Sequence, residues 1–309
     1  MRLVCARAYA SIANLGHGFD VFAMAVNVAC DEVTLIRGGR GLSLRVEGEG
    51  ARGVPTRPRR NTVGVALARL LSDHPSRTGL RARILKGRGS GGLGSSAASA
   101  AAAVVAANRL LGLGLSRAAL VPYAAHGETA SAGAAHADNV AAAIFGGFVI
   151  AEKADPTRVT RLAPPAGLRF ALAIPRLELT TRRARRALPR RIPLADHAQG
   201  CARAGAIVAA IARGDVRALG RAVEGSFAER ARAHLVPGFA AACESARRAG
   251  AAGASLSGAG PAVMAVVDAS HADARAVATA MCEAFRRAGV TAEARVGRPA
   301  PGARVIEAR

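Results

Sequence analysis

The stretch Arg88-Gly-Ser-Gly-Gly-Leu-Gly-Ser-Ser-Ala-Ala98 runs into an Ala-rich segment that ends at Asn108, and its residue types suit anion chemistry. Glycines let a backbone approach a ligand closely and take positive φ. From Ala97 to Leu111 the chain holds good helix formers and neither Gly nor Pro. A Gly-rich loop feeding a helix leaves several N–H groups at the helix start without partners, and the helix dipole adds partial positive charge there. The two effects together make an anion site, with phosphate the usual occupant. Ser95 and Ser96 stand where hydroxyls reach a phosphate or a metal ion.

Two familiar phosphate loops do not fit. The pattern G-x-x-x-x-G-K-[ST] needs a Lys before the hydroxyl residue. Here Gly94 precedes Ser95, and Lys occurs only at Lys86 and Lys153. The dinucleotide pattern needs an acidic residue about 20 positions onward. Asn108 and Arg109 stand there instead, and the next carboxylate is Glu128. The loop is therefore a third kind.

Three other segments hold polar groups beside glycines. Ala10 to Phe22 places Asn14 and Asp20 around Gly16 and Gly18, which suits a small polar ligand; alone, it reads equally as a strand connection with Asn and Asp as turn formers. His126-Gly-Glu128 is followed by Gly133-Ala-Ala-His136-Ala-Asp138-Asn139. Glu128 with a loop hydroxyl makes a reasonable Mg²⁺ pair, because Mg²⁺ takes few protein oxygens beside phosphate and water. The spacing fits no usual zinc pattern, and Asp138 or Asn139 is expected to cap a helix. Gly253 to Pro261 is a second Gly-rich turn between apolar strands; by itself it is only a tight turn, and it could abut the first loop from the other domain.

The elements that position these groups follow from periodicity. Strands are expected at Leu3–Ala8, Glu32–Arg37, Leu42–Val46, Leu80–Leu85, Gly146–Ala151, Leu168–Ile174, Ala262–Val267 and Val290–Val296. Helices are expected from Asn61 as cap to Leu71, after the phosphate loop to Gly112, and from Ser116 to Ala130 with a kink or delayed start at Pro122. Others span Arg182–Leu188, Asp196–Arg213, Asp215–Val223 and Gly238–Arg248, with a last one from Asp268 or Ser270 to Ala288. There is no clear βαβ periodicity and no internal repeat, so the expected class is α+β, with two domains meeting at the phosphate loop. The boundary falls near Asp155–Pro165, giving domains 1–160 and 161–309.

Composition narrows the class further. The chain has 309 residues, 51% hydrophobic with much of that Ala, and only 3% aromatic. Its core must rely on close packing of Ala, Val, Leu and Ile. The formal charge of +22 raises a nucleic-acid partner. The arginines, however, are spread over every expected element, and aromatics for base stacking are few. They read mostly as solvated charges with a general attraction for anionic substrates. Five scattered cysteines fit reduced core residues in a cytoplasmic protein. No run of about 18 apolar residues occurs, so no membrane span is expected.

With the three Gly-rich segments in view, the chain resembles the GHMP small-molecule kinases, named for galactokinase, homoserine kinase, mevalonate kinase and phosphomevalonate kinase. The three family motifs appear in order as Ala10–Phe22, Gly92–Ala98 and Gly253–Pro261. Asn14-Leu-Gly-His-Gly-Phe-Asp20 and His136-Ala-Asp-Asn-Val-Ala-Ala-Ala-Ile-Phe-Gly-Gly147 look like the branch that acts on L-homoserine. The resemblance implies a ribosomal-S5-like N-terminal domain, a ferredoxin-like C-terminal domain, and transfer of the ATP γ-phosphate to the homoserine hydroxyl, a step toward threonine. It implies ATP contacts from Arg88, Gly89, Ser90, Gly91, Gly92, Leu93, Gly94, Ser95, Ser96, Ala97 and Ala98, and Mg²⁺ ligation by Ser96 and Glu128. Asn14, Asp20, His136 and Asp138 look like substrate contacts, and Thr181, Arg185 and Arg232 match further substrate and phosphate contacts. Some relatives have Asp as catalytic base where Asn139 stands. Asn cannot take a proton, so Asn139 is expected to orient the hydroxyl or stabilise the transition state. The chain departs from the family pattern at Arg88 (usually Pro), at Ser90-Gly91, and at Ala142 (commonly Pro). A nucleic-acid or membrane partner is not implied, and relatives are often homodimers. The alternatives are a shikimate or mevalonate kinase of the same family and a non-catalytic anion or nucleic-acid binder on the same scaffold.

Overall fold

A computed structural model describes residues 1–88, 91–133 and 135–309. The strands are β1 (Leu3–Ala13), β2 (Phe22–Arg37), β3 (Leu42–Glu47), β4 (Leu80–Leu85), β5 (Phe148–Ala151), β6 (Val159–Leu162), β7 (Leu168–Pro175), β8 (Gly253–Leu256), β9 (Val263–Asp268), β10 (Ala292–Gly297) and β11 (Arg304–Ala308). The helices are α1 (Thr62–Asp73), α2 (Ser95–Leu111), α3 (Arg117–Ala132), α4 (Ala137–Phe145), α5 (Thr181–Arg186), α6 (Leu194–Arg213), α7 (Val216–Ala222), α8 (Phe227–Arg232), α9 (Phe239–Arg248) and α10 (Ala274–Arg287).

Two sheets organise the chain. The first runs β11-β1-β2-β4-β3, with β5 paired to β2 and β6 to β5. It is antiparallel except for β3 beside β4. β2 is long enough to serve two neighbours on one edge, β4 along Glu32–Arg37 and β5 along Phe22–Met24. The second sheet runs β10-β7-β9-β8 and is antiparallel throughout. Its strand order, with helices after its first and third strands, is the ferredoxin-like split βαβ arrangement. β6 and β11 both belong to the first sheet, so sheet membership does not follow a single cut at residue 160.

α2 lies in the core of the first half. Ala97, Ala98, Ala100 to Ala103, Ala106 and Ala107 are all buried, and α2 touches β1, β2, α1, α3 and α4. An Ala-faced helix can approach its neighbours closely on several sides, so its ends have little freedom. A second buried cluster joins the halves: Ile12, Phe22, Leu93 and Phe148 pack with Phe170, Ile207, Val223 and Met264. α9 and α10 cover the second sheet through Ala246, Val277, Met281 and Phe285.

Several local expectations hold. The Asn61 side chain accepts from Val63 N, and that of Ser116 from Ala119 N. Others need correction. His136, not Asp138 or Asn139, is the N-cap of α4. Asp273 caps α10, because Asp268 is already engaged by Ser270 N and Oγ in the preceding turn. α3 starts at its Ser116 cap and runs through Pro122 with no delayed start; a proline inside a helix forfeits one backbone bond. All five cysteines are free, but Cys201 is exposed rather than in the core. Among the described residues no helix is long and apolar enough to cross a membrane.

Candidate active site

The start of α2 is built to present bare amides. Its N-cap is Gly94 at φ 57°, with no side-chain cap. A Cβ at Gly94 would lie 2.4 Å from Ser11 Oγ and 2.5 Å from Asn139 Oδ1, so only glycine lets the loop close over these groups. Across the loop, Ser257 Oγ donates to Gly92 O at 2.5 Å, and Gly258 N donates to Ala13 O at 2.9 Å. The Ser257 bond ties the second Gly-rich turn to the first, and the Gly258 bond ties it to the end of β1.

Beneath the loop is a buried ionic knot that the sequence did not reveal. Lys86 Nζ donates to Asp31 Oδ2 at 2.5 Å, Ser95 Oγ at 2.7 Å and Ser99 Oγ at 2.9 Å. Asp31 also accepts from Ser99 Oγ at 2.6 Å and from Gly87 N at 3.0 Å. Asp31 is therefore tied to both ends of the loop. Ser95 O, at 2.9 Å from Lys86 Nζ, is a fourth close acceptor, and a compact ammonium meets such a cluster better than a planar guanidinium would. The rarity of Lys in so Arg-rich a chain was the available signal, since the other lysine, Lys153, reaches Asp20 at 3.4 Å.

Two clefts share Ser95 and Ser96 as lining residues. The first, about 230 Å³, is polar and gathers Asn14, Asp20, Gly91, Gly92, Gly94, Ser95, Ser96, Glu128, His136, Asp138, Asn139, Thr181, Arg185, Arg232, Gly258 and Ala259. The second, about 430 Å³, includes Val54, Pro55, Asn61, Ile84, Lys86 and Ala130. Of the other expected loop contacts, Leu93, Ala97 and Ala98 turn into the core. Arg88 points outward and pairs with Glu293 at 3.3 Å, so its side chain lines neither cleft. Gly89 and Ser90 lie outside the described residues.

Charge is distributed unevenly in the polar cleft. Arg185 holds Asp20 through Nη2–Oδ1 at 2.5 Å and Nη1–Oδ2 at 3.2 Å. Burial works to raise the Asp20 carboxyl, but the hydrogen bonds and charge of Arg185 outweigh it and hold the group below the usual range. Asp20 and Asn14 both sit at positive φ, and Asn14 Oδ1 accepts from Asp20 N. Arg185 Nη2 also donates to His136 Nδ1 at 3.0 Å. Burial, and then the Arg185 charge, lowers the His136 pKa. His136 is thus neutral, with its proton on Nε2.

By contrast, Asp138 and Arg232 are each 2% exposed, and neither forms an ion pair among the described residues. Among the described residues Arg232 donates to the carbonyls of Ala184 and Gly258, both at 3.2 Å. Burial, and then the nearby Arg185 charge, lowers its pKa to about 10, which leaves it cationic at neutral pH. Burial raises the Asp138 carboxyl to about 6. Glu128 accepts from Ser96 Oγ at 3.0 Å, and burial raises it to about 7 despite that bond.

Three buried side-chain atoms lack a partner among the described residues: Glu128 Oε1, His136 Nε2 and Arg185 Nε. All three belong to residues of the polar cleft. Buried polar groups are rarely left unpaired, so the cleft is shaped for a polar ligand.

The comparisons with known proteins agree with this geometry. The models of the GHMP kinase N-terminal and C-terminal domains match residues 61–147 and 207–287, and the chain belongs to the GHMP kinase family. It is 40% identical to a homoserine kinase of Natronomonas pharaonis over 94% of this chain and 96% of that one. It is 42% identical to a homoserine kinase of Haloquadratum walsbyi over 93% and 94%. A crystal structure of homoserine kinase from Cytophaga hutchinsonii superposes with TM-score 0.90 at 34% identity, covering 99% of this chain and 98% of that one. The Leishmania major mevalonate kinase, at TM-score 0.71 and 17% identity, shares the fold.

The knot has a measurable consequence. Breaking a buried ion pair from one side typically costs about 3–5 kcal/mol. Asp31→Asn is expected to lower stability by about that amount, read from the urea midpoint at constant slope. An unchanged midpoint would show that the Lys86 charge is accommodated without Asp31.

Proposed function

We propose that this chain is an ATP-dependent homoserine kinase that converts L-homoserine to O-phospho-L-homoserine, a step toward threonine, in the cytoplasm. The strongest support within the site is the unmatched pair of buried charges. Asp138 and Arg232 have opposite sign, share one small cleft and lack ionic partners of their own. An α-amino acid brings an ammonium for the first and a carboxylate for the second. Mevalonate and shikimate carry no ammonium and would leave Asp138 as a costly buried charge.

Each side chain then has a task. Arg232 and Arg185 hold the carboxylate. His136 offers its unpaired Nε2–H to an acceptor oxygen of the substrate, and Asn14 and Asp20 complete the polar wall. Thr181, at the start of α5, borders the acceptor. The amides from Gly92 to Ser96 cradle the polyphosphate. The less polar cleft, which shares Ser95 and Ser96, receives the nucleoside between Val54, Pro55 and Ile84.

The donor set also suits Mg²⁺. Glu128 Oε1 is a buried oxygen without a partner, and Ser96 Oγ adjoins the same carboxylate. Hard oxygens in small number beside phosphate are what Mg²⁺ takes. Bound there by Glu128 and Ser96, Mg²⁺ would supply positive charge to offset the negative charge that develops during phosphoryl transfer.

No carboxylate takes the place of a base at position 139. Ser11 Oγ donates to Asn139 Oδ1 at 2.8 Å, which leaves the amide NH₂ for the cleft. Asn139 therefore donates a hydrogen bond and cannot accept the hydroxyl proton. The homoserine oxygen bonds to the γ-phosphorus, the bond to the β,γ-bridging oxygen breaks, and ADP leaves. The hydroxyl proton passes to a phosphoryl oxygen or to solvent. Such a loose transition state depends on positioning and charge rather than on a strong base.

A coupled ADP-release assay tests this reading directly. Turnover is expected with L-homoserine and Mg-ATP, and not with shikimate or mevalonate; ADP release driven by either of the latter would overturn it. Asn139→Ala is expected to lower kcat/KM for homoserine by about 10²-fold, the scale of losing one donor to developing charge. Acidity supplies another check. Asp138 is ionised above about pH 6 and neutral below it, so attraction for the substrate ammonium is lost on the acid side. At saturating Mg-ATP, kcat/KM for homoserine should fall below about pH 6, and Asp138→Asn should flatten that limb and lower the plateau.

A further inference from the structure

We infer that Phe19 is a positioning residue for the acceptor's carboxylate, because its ring is the common platform for both guanidinium groups that meet it. The inference rests on the homoserine reading above. Arg185 Cζ lies 5.5 Å and Arg232 Cζ 5.3 Å from the centroid of the Phe19 ring. Two like charges this near one ring repel each other. Arg185 is steadied by Asp20 and His136. Arg232 has only two backbone carbonyls, each at 3.2 Å.

A buried guanidinium without an anion is costly unless something offsets its charge. A carboxylate on Arg232 would do so, but it would consume the charge and compete with an incoming carboxylate. An aromatic face attracts the cation through its quadrupole and leaves its forked donors free. Phe19 is itself fixed by the edge of Phe227, at 5.6 Å and 65°. Phe227 opens α8, the helix that ends in Arg232. Ring and cation are thus held by the same short helix. Phe19 does not line the polar cleft, so it acts through the two arginines rather than on the substrate.

The test compares Phe19→Leu with Phe19→Tyr, using L-homoserine and its carboxylate-free analogue, 2-aminobutane-1,4-diol, as acceptors. Leu keeps apolar bulk but has no aromatic face; Tyr keeps the face. In Phe19→Leu, KM for homoserine is expected to rise roughly tenfold or more, the scale of losing desolvated cation–π contacts. KM for Mg-ATP should stay within about twofold, and kcat/KM for the analogue should be almost unchanged, so preference for the carboxylate collapses. Phe19→Tyr should restore it. Equal losses on both acceptors would overturn the inference in favour of simple packing, as would no loss at all. A wild-type chain inactive on homoserine would instead bring down the functional reading, and the inference with it.

Discussion

The placement of the first turn of α2 is the constraint on which the site depends. A phosphate-binding turn works only if its amides stay aimed without moving when the anion arrives. Here that is achieved from two directions. The alanine faces of α2 are buried against the first sheet and three helices, which fixes the helix axis. The Lys86–Asp31–Ser99 knot then fixes the loop that leads into it. Together the two devices decide where Ser95 and Ser96 stand.

The acceptor side follows a different logic. It is made of charges, and the informative ones are those left unmatched. Asp20 and Arg185 pair with each other through both Nη atoms, which leaves Arg185 Nε without a partner among the described residues. Asp138 and Arg232 do not, and they keep their desolvation cost in the unliganded protein. On the proposed reading, a bound zwitterion would relieve both at once, whereas an acceptor with one charge would relieve only one. Selectivity of this kind comes from the penalty for leaving buried groups unpaired more than from any single attractive contact.

Local chemistry made much of the fold legible. The Asn61 and Ser116 caps, the alternation in β3 and β4, and the glycine after α2 depend on neighbours a few residues away, and all stand as read. Assignments that competed with other local uses failed. Asp268 was spent on its own turn, and Asp138 entered the helix behind His136. β11 was missed because its partner is β1, at the other end of the chain, and periodicity over five residues does not announce so distant a pairing. β2 began earlier than expected because its Phe22–Met24 end is stabilised by β5.

From residue order came the three glycine segments and the polar residues beside them, and so an anion site, because turn geometry and donor chemistry are local properties; the kind of reaction came from the family resemblance those segments carry. Folding in three dimensions decided which of those residues face one another. It turned Leu93, Ala97 and Ala98 inward and Arg88 toward Glu293, and it brought Asp31 under a loop more than fifty positions away. It also set Phe19 beside two arginines from helices far apart in sequence. Such pairings arise only when packing excludes water and makes each buried charge find, or await, a partner.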